Sequence, residues 1–234
     1  MDNATFLREI LQKFPEEMSR YPTTIEKQIV MQHYELPSRI LDISKNPLVA
    51  LFFACYQEEE YGNDKTDGII YVFSVPNHEI KFCDSDSVTA IINLCKCHGD
   101  FSIKHIKKFS SEEDKKKFNE DYDIKRLIHF ARDDKPFFAG VLNPDTLGKV
   151  VCLHPAMNNT RIIRQDGYFF VFGIDGDKKN CAQIEKKWIA AKLKVPYKYK
   201  QNILKELESF NINASRLFAD YRHMGKHLQK KYAH

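Results

Sequence analysis

The sequence predicts an α+β fold, with a single mixed β-sheet of about five strands packed by helices and a helical C-terminal appendage. Two observations carry that reading. Helical apolar spacing alternates with short β-branched and aromatic runs bounded by Gly, Pro and Asn. The last stretch of the chain shows helical spacing alone. Composition sets the frame: of 234 residues, 43% are hydrophobic, 12% aromatic and 29% charged, which is globular and excludes wholesale disorder.

The elements follow in order. Phe6, Leu7, Ile10, Leu11 and Phe14 fall on one helical face that ends before Pro15. A cap at Thr23 or Thr24 opens a second helix, with Ile25, Ile29 and Val30 inward, running to about Tyr34. Asn46 and Pro47 form an N-cap and first turn for Leu48 to Tyr56, a helix apolar nearly all round and therefore expected to be buried. Asp67-Gly68 precedes Ile69 to Val75, closed by Pro76, which reads as a central strand. Ser87 to Cys97 is expected to be helical, Ile103 to Phe118 a polar surface excursion, and Tyr122 to Ala131 another helix. Val150 to Leu153 and Tyr168 to Phe172 read as two more central strands. Two helices close the chain: Ile203, Leu204 and Leu207 mark the first, and Leu217, Tyr221, Met224 and Leu228 the second, with Asn213 as a cap between them.

Several function classes drop out at this level. The longest apolar runs, Pro47 to Tyr56 and Tyr168 to Ile174, are far shorter than the ~18–20 residues of a membrane helix. The acidic, discontinuous N-terminus does not resemble a secretory signal, so no membrane association and a cytoplasmic location are expected. Six scattered cysteines in a chain of this size predict reduced thiols. Cys95-x-Cys97-His98 lacks a second ligand pair, and no metal site is predicted. Phosphate loops, dinucleotide fingerprints, zinc-helix motifs and serine elbows are missing from the sequence. Net charge is +4, but residues 186–234 hold twelve Lys and Arg against three acidic residues. Such a basic tail is an electrostatic footprint for a protein or nucleic acid partner, or a solvated helix face.

Two stretches set polar residues against the most apolar parts of the chain. In Met31 to Ala54, residues Gln32, His33, Arg39 and Asp42 lie among side chains that must be buried. Unpaired buried charge costs several kcal/mol, roughly, so these residues pair with one another, as in an Arg39–Asp42 ion pair, or line a cavity. In Asn158 to Gly173, Arg161, Arg164 and Gln165 stand at the entrance to a strand. Their planar groups suit a phosphate or carboxylate, and equally suit capping of loop carbonyls or neutralisation of Asp42, Asp84 or Asp86.

These two stretches resemble the bacterial FRG-domain family, whose pattern runs approximately Q-H-[YH]-G-L-P-T-R-L-L-D-[WIL]-[ST]-x-N-P-L-V-A-L-[YF]-F-A, then D-G-x-[VI], then R-[IL]-x-x-Q-x-G-x-F-x-x-x-G. The matching residues are Gln32-His33-Tyr34, Leu36-Pro37, Arg39, Leu41-Asp42, Asn46 to Leu51, Phe53-Ala54, Asp67-Gly68, Arg161, Gln165, Gly167, Phe169 and Gly173. Glu35 replaces the family's glycine, Ser38 its threonine, and the [FY]-R-G motif expected upstream is missing. The resemblance therefore implies an FRG-like domain over 1–185, with its core at 26–175 and its N-terminal arm missing, and a basic helical extension over 186–234. It also implies an effector of a defence or mobile-element locus and, through a loose likeness to the R-S-E layout of ADP-ribosyltransferases, an ADP-ribosyltransferase-like fold with Gln165 where those enzymes carry a glutamate. On that reading the two stretches form one pocket for a nucleotide such as NAD. Gln32, Arg39, Ser44, Arg161 and Arg164 bind the ligand, and His33, Asp42 and Gln165 carry the chemistry of an NAD-utilising transferase or glycohydrolase. The alternative is a non-enzymatic module whose polar core is structural and whose basic tail docks a protein or nucleic acid.

Overall fold

In the computed structural model the described residues are 3–57, 65–104 and 111–232. The strands are β1 (Ile40–Ser44), β2 (Gly68–Phe73), β3 (Ile80–Phe82), β4 (Val150–His154), β5 (Gly167–Phe172), β6 (Ile174–Asp175), β7 (Asp177–Cys181) and β8 (Ile189–Val195). The helices are α1 (Asn3–Lys13), α2 (Pro15–Met18), α3 (Thr24–His33), α4 (Pro47–Cys55), α5 (Asp86–Asn93), α6 (Glu112–Glu120), α7 (Tyr122–Asp134), α8 (Pro144–Leu147), α9 (Thr160–Arg164), α10 (Tyr197–Ser209), α11 (Ala214–Phe218) and α12 (Tyr221–Tyr232). The fold is α+β. Contacts divide the chain into two compact units of three segments each.

The first unit comprises Met1–Leu41, Pro76–His154 and Phe169–Glu185. Its sheet has strand order β1-β5-β4-β3 and is mixed, with β4 antiparallel to β5 and parallel to β3. Among the described residues four strands make this sheet, where the sequence suggested about five. The core is built on α5, where Val88, Ala90, Ile91, Ile92 and Leu94 are all buried, together with Leu127, Leu147, Leu153, Phe169 and Phe170. A polar knot ties three helices around it: the Asp134 carboxylate accepts from Asn93 Nδ2 at 2.7 Å and from Thr24 Oγ1 at 2.9 Å, while Lys96 Nζ lies 3.4 Å away. The expected surface excursion at 103–118 is in part a helix, α6, opened by a Ser111–Asp114 capping box and anchored by buried Phe118; residues 105–110 of that stretch lie outside the described residues. Burial pushes the Cys95 thiol up to about 11 and the Cys97 thiol up to about 12, which makes both poor nucleophiles and poor ligands.

α3 begins at the capping box of Thr23 and Glu26 and ends in a Schellman turn. Leu36 N–H donates to Met31 O at 2.9 Å, Glu35 N–H donates to Gln32 O at 3.0 Å, and Glu35 carries φ +59°. Leu36 packs on the Leu7–Met31–Cys95 cluster, completing the motif's apolar contact. This position favours glycine, because a Cβ in the left-handed region is strained. A Glu35→Gly protein is therefore expected to gain about 0.5–1 kcal/mol, the relief of strain exceeding the added freedom of the unfolded chain. Its melting temperature should rise by roughly 1–4 °C, and a fall would show that the Glu35 side chain contributes more than its backbone costs.

The second unit comprises Asp42–Val75, Pro155–Tyr168 and Lys186–His234. Its core joins Val49 and Phe52 of α4 to Leu207 of α10 and Leu217 of α11. Asn46 caps α4 by accepting from Leu48 N–H at 3.0 Å. Leu48 and Phe53 remain exposed, so the helix that reads as apolar all round buries one face. The run Ile69 to Val75 is not a central strand: among the described residues β2 pairs with β8 alone, as a two-stranded antiparallel ribbon. A continuous apolar run looks the same whether one face is buried or two. β8 also means that the basic segment from Lys186 runs through a short 3-10 turn, Lys186–Trp188, into a strand before the helices α10 to α12. Asp67-Gly68 pins the ribbon. Asp67 accepts the Tyr197 N–H at the start of α10 at 2.7 Å and pairs with Lys194 at 2.7 Å. A Cβ on Gly68 would collide with the Ala54 carbonyl of α4. The final helix expected from Leu217 to Leu228 is broken, with Ala219 at φ +56° between α11 and α12.

Candidate functional site

Of the residues singled out by the sequence, Gln32, His33 and Arg39 belong to the first unit, and Asp42, Ser44, Arg161, Arg164 and Gln165 to the second. Gln32 and His33 close α3 and are half-buried. Arg39 is buried, and desolvation lowers its pKa. Its partners are carbonyls rather than a carboxylate: Nη1 donates to Phe172 O at 3.0 Å and Gly173 O at 3.2 Å. Its main chain is held as well, N–H on Gln28 Oε1 at 3.0 Å and C=O accepting from Phe172 N–H at 2.9 Å. Arg39 thus fastens the start of β1 to the end of β5.

In the second unit the polar residues converge on α11. Asn159 caps α9 by accepting from Arg161 N–H at 2.8 Å, and buried Ile162 fixes the rotation of this short helix. The placement of three side chains, Arg161, Arg164 and Gln165, follows from that rotation. Arg164 Nη1 donates to Arg216 O at 3.1 Å, and buried Gln165 Nε2 donates to Leu217 O at 3.1 Å. Both therefore bind carbonyls of α11. The Arg161 guanidinium lies 5.0 Å from the centre of the Phe218 ring, within cation–π range. Ser44 Oγ donates to Gln165 O at 2.6 Å, and Asn46 Nδ2 donates to Asp166 Oδ2 at 3.2 Å, so the turn after β1 clasps the turn after α9. Asp42 is half-buried on β1. Asp86, one of the carboxylates that an arginine was expected to neutralise, pairs with Lys135 at 2.6 Å.

Beside α11 lies a cavity of about 280 Å³. Its walls come from the C-terminal end of α4 and from α10, α11 and α12, with Phe52 and Tyr56 supplying aromatic surface and Lys205, Lys226 and His223 supplying nitrogen donors. The Phe52 and Tyr56 rings stack 4.9 Å apart at 19°. His223 is buried. Its ring stacks on Phe218 at 4.1 Å, and Nδ1 lies 2.8 and 2.7 Å from the two Asp220 oxygens. Burial works to raise the Asp220 carboxyl, but hydrogen bonds from the His223 backbone N–H and ring, with the charges of His223 and Arg161, hold it below the ordinary carboxylate value.

Sequence reasoning missed this pair, and the signal for it was present. Asp220-x-x-His223 has the spacing of an N-cap and its third helical residue, and it falls inside a stretch that periodicity read as one uninterrupted helix. Among the described residues no three His, Cys, Asp or Glu side chains gather as a metal site, and no helix is long and apolar enough to cross a membrane.

Comparison with known families adds one finding. Residues 2–63 match the family model of the FRG domain, a segment that takes in α1 to α4 and ends ahead of β2. No curated protein and no solved structure matches the chain.

Proposed function

We propose, from the premise that residues 2–63 are an FRG domain, that this chain binds a nucleotide and that the cavity beside α11 is its site. The supporting observation is the lining: half-buried Tyr56, backed by the stacked ring of buried Phe52, offers aromatic surface for a base, and Lys205, Lys226 and His223 offer donors for phosphate, on walls from four helices. At about 280 Å³, the cavity is near the lower bound of about 300 Å³ for small-molecule pockets. That size suits one nucleoside with its phosphates, or the ADP-ribose half of NAD, better than a whole dinucleotide. Arg161, Arg164, Gln165 and Ser44 serve this site as positioning residues, because their bonds set α11, which contributes Ala214 and Ser215 to the wall.

The test is the melting temperature of the chain with millimolar ADP-ribose, ATP or NAD against salt-matched controls. A ligand at 100 times its dissociation constant stabilises by about 2.7 kcal/mol, a rise of roughly 5–11 °C at this size. The rise is expected to vanish in a Lys205→Glu, Lys226→Glu double variant that melts normally without ligand. A rise of equal size in that variant moves the ligand elsewhere, and no rise with any of the three compounds overturns the reading.

A further inference from the structure

The wall of the cavity beside α11 holds a pair of side chains arranged beyond what a helix cap requires. Asp220 Oδ1 accepts the His223 N–H at 2.8 Å, the bond of an N-cap to the third residue of α12. That bond would serve the helix by itself. The His223 ring nevertheless turns back on the same carboxylate, with Nδ1 at 2.8 and 2.7 Å from its two oxygens, and packs on Phe218 at 4.1 Å between centres and 21° between planes. It is only 6% exposed, yet it lines the cavity, whereas Asp220 does not.

A carboxylate only accepts, so Nδ1 carries a proton and donates it to Asp220, and Nε2 is the nitrogen through which the ring takes up and gives back protons. In the charged ring Nε2–H donates to a phosphate, and in the neutral ring Nε2 draws a proton. A carboxylate that fixes the tautomer, with the ring plane held by Phe218, is the arrangement of a general base. Lys226, also on the wall, follows His223 by three positions. Residues three apart on a helix are neighbours, about 5–6 Å between Cβ atoms, so the base and a cation for phosphate stand side by side, with Lys205 brought to the same cavity by α10.

We propose that the Asp220–His223 pair makes this cavity a hydrolytic site for nucleoside diphosphates, including those whose outer phosphate is esterified, as in ADP-ribose. The inference rests on the nucleotide reading of the cavity. A water held by His223 Nε2 attacks one phosphorus of the diphosphate and gives up its proton to that nitrogen. The new P–O bond forms as the bridging P–O bond breaks, and the leaving phosphate departs with the electron pair of that bond beside Lys205 or Lys226. His223 then returns the proton to solvent. The balance is ADP-ribose and water to AMP and ribose 5-phosphate.

The experiment incubates ADP-ribose with the full chain, follows AMP by anion-exchange chromatography, and measures binding of the same compound by thermal shift. AMP is expected to appear. Asp220→Asn keeps the helix cap, since asparagine caps as well as aspartate, but no longer fixes the imidazole tautomer. Turnover should fall roughly a hundredfold or more, while the thermal shift with ADP-ribose stays close to that of the parent. A pair that only caps α12 predicts the reverse, turnover untouched by Asp220→Asn. Where Asp220→Asn melts early, His223→Gln leaves the capping carboxylate in place and should lose turnover alike. Binding without AMP overturns the hydrolytic inference and leaves the nucleotide reading standing, and neither binding nor AMP overturns both. AMP formation that Asp220→Asn and His223→Gln leave unchanged overturns the role of the pair.

Discussion

A Gly173→Ala protein is expected to be less stable by about 3 kcal/mol, with its melting temperature lowered by roughly 6–12 °C. The cause is backbone, not side chain. A Cβ at this position collides with the Leu147 carbonyl and sits 2.7 Å from Lys149 O, and neither group can swing aside. Both carbonyls are fixed by the loop between α8 and β4, where Gly173 N–H also donates to Lys149 O at 2.9 Å. Alanine would restrict the unfolded chain and so favour folding by about 0.4–1 kcal/mol, which the collision exceeds. Urea unfolding of the two proteins gives the comparison directly. A Gly173→Ala midpoint within error of the parent would mean that the loop yields, and that close approach is not why glycine stands here.

The second large effect is expected at Arg39. Arg39→Ala leaves Phe172 O and Gly173 O without their charged donor and empties a buried volume, for an expected loss of about 3 kcal/mol. Arg39→Lys keeps the charge but offers a single ammonium to carbonyls that one guanidinium nitrogen now bridges, and should recover only part of the loss. Because Gly173 is shared between the two sites, the double variant should cost less than the sum of the singles. The result also separates two roles for the residue. A strut loses stability whether or not ligand is present. An arginine that mainly contacts ligand would leave the melting temperature of the empty protein unchanged when replaced, and that outcome would sink the reading of Arg39 as a strut.

Local chemistry was well written in the sequence. Asn46 with Pro47 and Asn213 are side chains whose short-range bonds leave few other options, and each is a cap in the structure, while of the two candidates Thr23 and Thr24 it is Thr23 that caps α3. The position of Glu35 was legible from the resemblance: it stands where the FRG-domain pattern carries glycine, and it sits at positive φ. Long-range pairing was not legible. Nothing within Ile69 to Val75 says that its strand partner lies beyond Lys186, and the lysines of Ile189 to Val195 disguise a strand as part of a basic tail. The polar residues of the two motif stretches were visible as a group, but their partners were not. Arg39, Arg164 and Gln165 all donate to main-chain carbonyls, and a carbonyl leaves no mark in the sequence because every residue has one. The cavity escaped notice because α4, α10, α11 and α12 each give it only a few side chains, and its lining is not a motif.

The joining of Asp67 to Tyr197, 130 positions apart, has a consequence for how the molecule comes into being. Non-local pairings are closed late and slowly, since the loop must be ordered before the contact rewards it. During synthesis α4 and β2 leave the ribosome long before β8 and α10 exist. In that interval the apolar face of α4 and the open edge of β2 have no partner, the condition in which strands add to the wrong neighbour. The second unit is therefore one whose assembly waits on its last segment, and chains interrupted before Lys186 should collect as aggregates rather than as a smaller folded protein.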